Sequence, residues 1–169
     1  MKKLIFLLTL LTAVAATIPV KAQAKFGHIN SSEIVQALPE TDSAQNKLKA
    51  YSEELQKNVQ TMQTELQNKY MEYQNGRAQW SDLIRSTKER EISEMQARIT
   101  EFGEQAEADY KDKTQQLLLP ITEKVKKAIE DVAKEGKYSY IFDTSTGAFL
   151  YTIESDDVAP LVKKKLGIK

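Results

Sequence analysis

From Leu48 onward the apolar positions run Leu48, Tyr51, Leu55, Val59, Met62, Leu66, Tyr70 and Tyr73, at spacings of 3, 4, 4, 3, 4, 4 and 3. The residues between them are almost all polar, so this is one apolar stripe on a helix. Its eleven-residue repeat, about 3.67 residues per turn, favours a straight or slightly right-handed coil over a heptad supercoil. Asp42 with Gln45 three residues on predicts the helix start. Gln74, Asn75 and Gly76 break the stripe, and an Asn-Gly pair tolerates the positive φ of a chain reversal. A second helix, starting between Ser81 and Thr87, carries Ile92, Met95, Ile99, Phe102, Ala106 and Tyr110 at spacings of 3 and 4. It should run back antiparallel to the first. About 32 residues at ~1.5 Å each make a hairpin nearly 50 Å long, longer than the radius of an ordinary domain.

The flanks follow other periods. Residues 25–30 alternate apolar and polar, as a half-buried strand does, with Phe26 and Ile29 facing inward. Asn30 caps a short helix with Glu33 at the third position, an apolar stripe of Ile34, Val35 and Leu38, and a stop before Pro39. On the far side, Pro120 predicts a kink or restart within the apolar run 117–121, and the helix continues through Val125, Ile129 and Val132 to Gly136. Residues 138–143 and 148–153 are rich in β-formers and predict two strands joined by a hairpin turn at 144–147. Asp157 predicts the cap of a last helix, with Pro160 at its third position, Lys163, Lys164 and Lys165 near its C-terminal end, and Gly167 beyond. The expected fold class is α+β, mainly α: a long antiparallel helical hairpin, or coiled-coil arm, over residues 44–116, on a small β-body made of residues 23–43 and 117–169.

Residues 1–22 read as a secretory signal, with Lys2 and Lys3 before an uncharged apolar stretch and small residues at the end. Cleavage fits after Ala22 or Ala24, and no cysteine follows to carry a lipid, so the expected product is exported and has no stable membrane insertion. The full chain has 24 basic and 24 acidic residues; losing Lys2, Lys3 and Lys21 with no acid leaves a net charge of −3. A mildly acidic chain with short basic runs argues against nucleic acid as a partner. With no cysteine, stability comes from packing alone. Pairs at i,i+4 line both helices: Glu53 with Lys57, Glu65 with Lys69, Glu94 with Arg98, Glu107 with Lys111 and Asp109 with Lys113. They suit helices whose outer faces meet water.

Catalytic chemistry finds no candidate. The only histidine, His28, reads as a surface or interface residue. Gly136-Lys137 lacks the upstream glycine of a phosphate loop, Asp156-Asp157 reads as a helix cap, and no His, Asp and Glu cluster has metal-ligand spacing. The expectation is no catalytic residue, no cofactor and no metal. Binding has better grounds. Tyr70, Met71, Tyr73, Trp80 and Leu83 gather near the hairpin tip, either closing it or offering an adaptable surface, since Met and aromatics give contact area without demanding one partner shape. Met62, Leu66, Ile92, Met95 and Ile99 read as hairpin core. Three strands are too few for a comfortable isolated sheet, so their edges should recruit other chains.

The opening Phe26-Gly27-His28-Ile29-Asn30, with Ile34-Val35 and Leu38-Pro39-Glu40, resembles the start of the Skp/OmpH family of periplasmic chaperones. Pro120-Ile121, Lys124-Val125, Ala128-Ile129, Val132-Ala133, Tyr140-Ile141-Phe142-Asp143, Leu150-Tyr151 and Asp157-Val158 resemble its later part in the same order. The resemblance implies a jellyfish-shaped homotrimer with a shared β-body, to which Phe26, Ile29, Ile141 and Leu150 would contribute. It implies a cavity between three arms where unfolded outer-membrane proteins are held without ATP, Tyr70, Met71, Tyr73, Trp80 and Leu83 being the client-binding candidates. Two features depart from the family: the mature chain is mildly acidic where better-known members are strongly basic, and the final Asp-x-Thr cap is here Asp157-Val158-Ala159. No lipid-binding site is carried over. The competing reading is a structural or adaptor coiled-coil protein of the cell envelope.

Overall fold

The structure, a computed structural model, describes residues 24–168; the expected signal at 1–22 lies outside them. The chain runs β1 (Phe26–Ile29), α1 (Ser31–Gln36), α2 (Pro39–Gly76), α3 (Asp82–Glu135), β2 (Tyr140–Asp143), a 3-10 turn (Glu154–Asp156) and α4 (Ala159–Leu166). This is the mainly helical α+β arrangement expected, and α2 and α3 form its long hairpin.

Asn30 caps α1 as its spacing to Glu33 predicts: the Glu33 N–H donates to Oδ1 of Asn30 at 3.3 Å, and Nδ2 donates to the Glu33 carboxylate at 2.7 Å. The next helix starts three residues before the expected Asp42. Pro39 occupies its first turn, where a missing N–H leaves nothing unsatisfied, so the residue that stops α1 also begins α2. Ser81 caps α3, accepting from the Ile84 N–H. Pro120 neither ends nor restarts α3, which is 54 residues long from end to end. What Pro120 removes is one hydrogen bond to the Gln116 carbonyl, while packing of Leu117, Leu118 and Ile121 on the core holds both sides of it. Asp157 accepts from the Ala159 N–H at 2.8 Å. α4 begins at Ala159, which puts Pro160 second, not third. Gly167 closes α4 at φ 73°, with the Ile168 N–H bonded back to the Lys163 carbonyl at 3.0 Å.

The sheet differs from expectation. Among the described residues two strands are present, not three, and they run parallel, Phe26 opposite Tyr140 and Ile29 opposite Asp143. Parallel strands need a long crossover, and here α1 and the whole hairpin form it. Residues 148–153 form no strand. The free side of β1 is taken by a bridge between His28 and Asp157, with the Val158 N–H on the His28 carbonyl at 2.9 Å. On the outer side of β2, a paired strand would have nothing in the same chain to cover its face, which leaves such pairing marginal.

One buried cluster joins all these pieces: Ile29, Ile34, Leu38, Ala44, Ile121, Val125, Ala128, Val132, Val158 and Val162. It draws on β1, α1, both hairpin helices near their open end, and the start of α4. Ser31 and Asp143 lock the crossover shut. The Asp143 carboxylate accepts from the Ser31 backbone N–H at 3.2 Å, from the Ser31 hydroxyl and from the Ser145 N–H at 2.9 Å. Burial raises the Asp143 carboxyl, but the hydrogen bonds from Ser31 and Ser145 outweigh it and hold it below its ordinary value.

Two outcomes follow. Ile34→Ala, at a fully buried position, should lower unfolding stability in urea by roughly 2–5 kcal/mol. Because the Asp143 carboxyl titrates lower folded than unfolded, its contribution is present above the unfolded value and fades as pH falls through the folded one. Asp143→Asn should therefore cost about 1 kcal/mol at neutral pH and flatten the loss of stability below about pH 4, as read from urea midpoints across pH.

Candidate interaction surfaces

The hairpin tip separates into two groups. The helix expected to break at Asn75-Gly76 continues through Gly76, and Arg77 follows in the right-handed helical conformation; residues 77–81 make the reversal. Neither Asn75 nor Gly76 has positive φ. Gly76 serves a different purpose: a Cβ there would overlap the Trp80 ring, which lies on its backbone. Trp80 also packs against Tyr73, with ring centroids 6.2 Å apart, and the Tyr73 hydroxyl donates to the Glu89 carboxylate across the hairpin. That hydrogen bond pushes the Tyr73 phenol up from its usual value. Tyr73 and Trp80 thus close the tip.

Tyr70, Met71 and Leu83 do not take part; they are 53%, 47% and 76% exposed. Tyr70 was expected in the stripe, but half-buried Lys69 takes that place, and its ammonium reaches Glu91 on the other helix at 3.4 Å. Lys88 pairs with Glu72 at 2.9 Å, also across the hairpin, and the bond raises the Lys88 ammonium. None of the five expected i,i+4 pairs forms among the described residues; Glu94 instead meets Arg90. Exposed Ile84 joins the same end of the molecule and was not anticipated. Its signal was present: stepping back from Ile92 at helical spacing reaches Lys88 and Arg85, both half-buried, and leaves Leu83 and Ile84 outside the stripe.

A second apolar surface lies on the sheet. Phe26, Tyr140, Phe142 and Phe149 form a chain of ring contacts, with centroids 6.0 Å apart for Phe26 and Tyr140, 6.2 Å for Tyr140 and Phe142, and 5.3 Å for Phe142 and Phe149, and all four are exposed. Leu150, Tyr151 and Ile153 continue it, Leu150 being fully exposed. Of the four residues named for a shared body, Ile29 is buried in this chain's own core and Ile141 packs against it, whereas Phe26 and Leu150 face outward. His28 holds this segment, its Nε2 lying 2.9 Å from the Ile153 carbonyl.

The remaining candidate groups have structural partners. Gly136 accepts from the Lys25 ammonium at 3.0 Å, and that ammonium also sits 3.9 Å from the centre of the Tyr138 ring. Among the described residues no group of three or more His, Asp or Glu could hold a metal ion, and no helix is long and apolar enough to cross a membrane.

Residues 25–166 match the family described as outer membrane protein (OmpH-like). The protein named Chaperone protein Skp from Photorhabdus luminescens is 25% identical over 169 residues, covering 98% of this chain and 99% of its own. Its namesake from Yersinia enterocolitica is 25% identical over 166 residues with the same coverage. A solved structure from Caulobacter crescentus CB15, described as an OmpH-like outer membrane chaperone, shares the fold with a TM-score of 0.74 at 14% identity, over 86% of this chain and 85% of that one. The family match spans nearly all of the described residues, and the chain belongs to the OmpH-like outer membrane protein family.

Proposed function

We propose that the protein is an exported periplasmic holdase chaperone that works without ATP, a homotrimer whose arms (residues 44–116) enclose a cavity for unfolded outer-membrane proteins. The observation that carries this reading is the division of labour at the tip. Tyr73 and Trp80, with Arg85 donating to the Arg77 and Trp80 carbonyls, close the hairpin, while Tyr70, Met71, Leu83 and Ile84 hold exposed apolar surface at the end farthest from the core. Flexible and aromatic side chains of this kind accept many partner shapes, and several weak contacts on linked arms add up to firm retention. Covering the unpaired strand edges of an unfolded barrel keeps them from pairing with one another. The names of the relatives support the same reading.

The trimer is supported by the opposite end. Phe26, Tyr140, Phe142 and Phe149 with Leu150 and Tyr151 form a large exposed apolar surface beside the outer edge of β2, which has no strand partner among the described residues. A second copy would cover both. Residues 23–43 and 117–169 then act as the shared body, and the export signal at 1–22 delivers the chain to the periplasm.

The combined variant Tyr70→Ala, Met71→Ala, Leu83→Ala should need several-fold more protein to keep an unfolded outer-membrane barrel soluble, in a light-scattering aggregation assay. Its thermal unfolding should change little, because none of the three is buried. Equal protection by variant and parent would remove the tip from the client site. No protection by the parent at equimolar trimer would favour a spacer or adaptor role. At the other end, Leu150→Asp with Tyr151→Asp should shift the solution mass from trimer to monomer, as read by multi-angle light scattering.

A further inference from the structure

The chain holds four methionines and no cysteine, and Met1 belongs to the expected signal. Met62, Met71 and Met95 therefore carry the only sulfur atoms of the processed protein. A two-electron oxidant such as hydrogen peroxide converts a thioether to a sulfoxide, and exposure decides which thioether reacts first.

The fold gives these three sulfurs unequal access. Met95 is buried at 2% exposure on the inward stripe of α3, and its Sδ accepts from the Arg98 guanidinium at 3.3 Å. The electron pair that an oxidant needs is thus engaged as well as covered. Met62 is half-buried on the inward stripe of α2. Met71 is 47% exposed near the end of the same helix.

Position gives that difference a consequence. Met71 stands in the exposed apolar patch with Tyr70, Leu83 and Ile84, whereas the contacts that close the reversal belong to Tyr73, Trp80 and Arg85. A change confined to the Met71 thioether alters the patch and leaves the hairpin closed.

We infer that Met71 is the oxidation site of this protein and that its sulfoxide is a low-capture form of the tip. In the reaction with hydrogen peroxide a sulfur lone pair attacks one peroxide oxygen, an S–O bond forms and the O–O bond breaks. Sulfur gives up two electrons, and the departing hydroxide takes the proton of the transferred oxygen and leaves as water. The product ends in a strongly polar S–O group where the patch had a flexible apolar one. Weak contacts on linked arms multiply, so a small loss at each tip becomes a larger loss of retention. This consequence rests on the chaperone reading above; the choice of Met71 over Met62 and Met95 does not. Enzymatic reduction of the sulfoxide by thiols restores the thioether, so the change is reversible.

Peptide mass mapping of the full-length processed protein, treated with a graded series of hydrogen peroxide, tests the site. Met71 should gain one oxygen about ten times faster than Met95 and about three times faster than Met62, at doses that leave the helical circular dichroism unchanged. The same samples are then assayed for keeping an unfolded outer-membrane barrel soluble. Parent oxidised at Met71 should need about two-fold more protein than untreated parent, and methionine sulfoxide reductase with dithiothreitol should reverse the loss. Met71→Leu, apolar and of similar size, should give the same protection before and after peroxide. Oxidation of Met62 or Met95 as fast as Met71 would overturn the site. Undiminished protection by parent fully oxidised at Met71, or an equal loss in peroxide-treated Met71→Leu, would overturn the low-capture form. An untreated parent that protects no barrel would bring down the chaperone reading and the low-capture form with it, while the mapping still decides the site.

Discussion

Two helices lying side by side can hide only one stripe each. With no second layer over the hairpin, most of its surface meets water whatever the sequence, and its own packing is too thin to hold it as an independent unit. The structure answers this at the open end, where Ala44 of α2 and Ile121, Val125, Ala128 and Val132 of α3 enter one core with Ile29, Ile34, Leu38, Val158 and Val162. Because β1 and β2 are parallel, the hairpin is also the crossover between them. Ser31 bonded to Asp143 fastens that crossover, and loss of the shared core would release both helix ends together.

The same shortage of partners accounts for what stays exposed. A chain that commits its strongest apolar residues to a small core at one end has little left with which to cover a two-stranded sheet, and the ring row from Phe26 to Phe149 faces outward. At the other end Tyr73, Trp80 and Arg85 close a tight reversal. The two exposed surfaces therefore lie at opposite ends of the hairpin, and under the proposed function one serves assembly and the other capture without competition between them.

Features set by local chemistry were legible in the sequence. The Asn30 and Glu33 box, the Gly167 terminus and the 3-4 stripe from Ile92 to Ala106 all rest on residues within one or two turns of each other. Features set by distant partners were not. Asn75-Gly76 has the composition of a left-handed turn, but the need for the Trp80 ring to lie on Gly76 favours a right-handed continuation. Residues 148–153 have the composition of a strand, but a strand forms only where an edge and a cover exist. Lys69 displaces Tyr70 from the stripe because Glu91 waits on the other helix, and a single-helix pattern cannot display that. At the tip, the sequence gathers Tyr70, Met71, Tyr73, Trp80 and Leu83 but does not divide closers from exposed residues, since that division depends on which rings touch across the reversal.

The account turns on unfolded barrel proteins lying against the exposed tip residues. A photo-crosslinking amino acid placed at Leu83, with Lys127 at the base as the comparison site, tests it directly in the presence of an unfolded outer-membrane barrel. The account predicts adducts at Leu83 that disappear once the barrel has folded, and few at Lys127. Adducts of equal yield at both sites, or none at Leu83 while the barrel stays soluble, would contradict it.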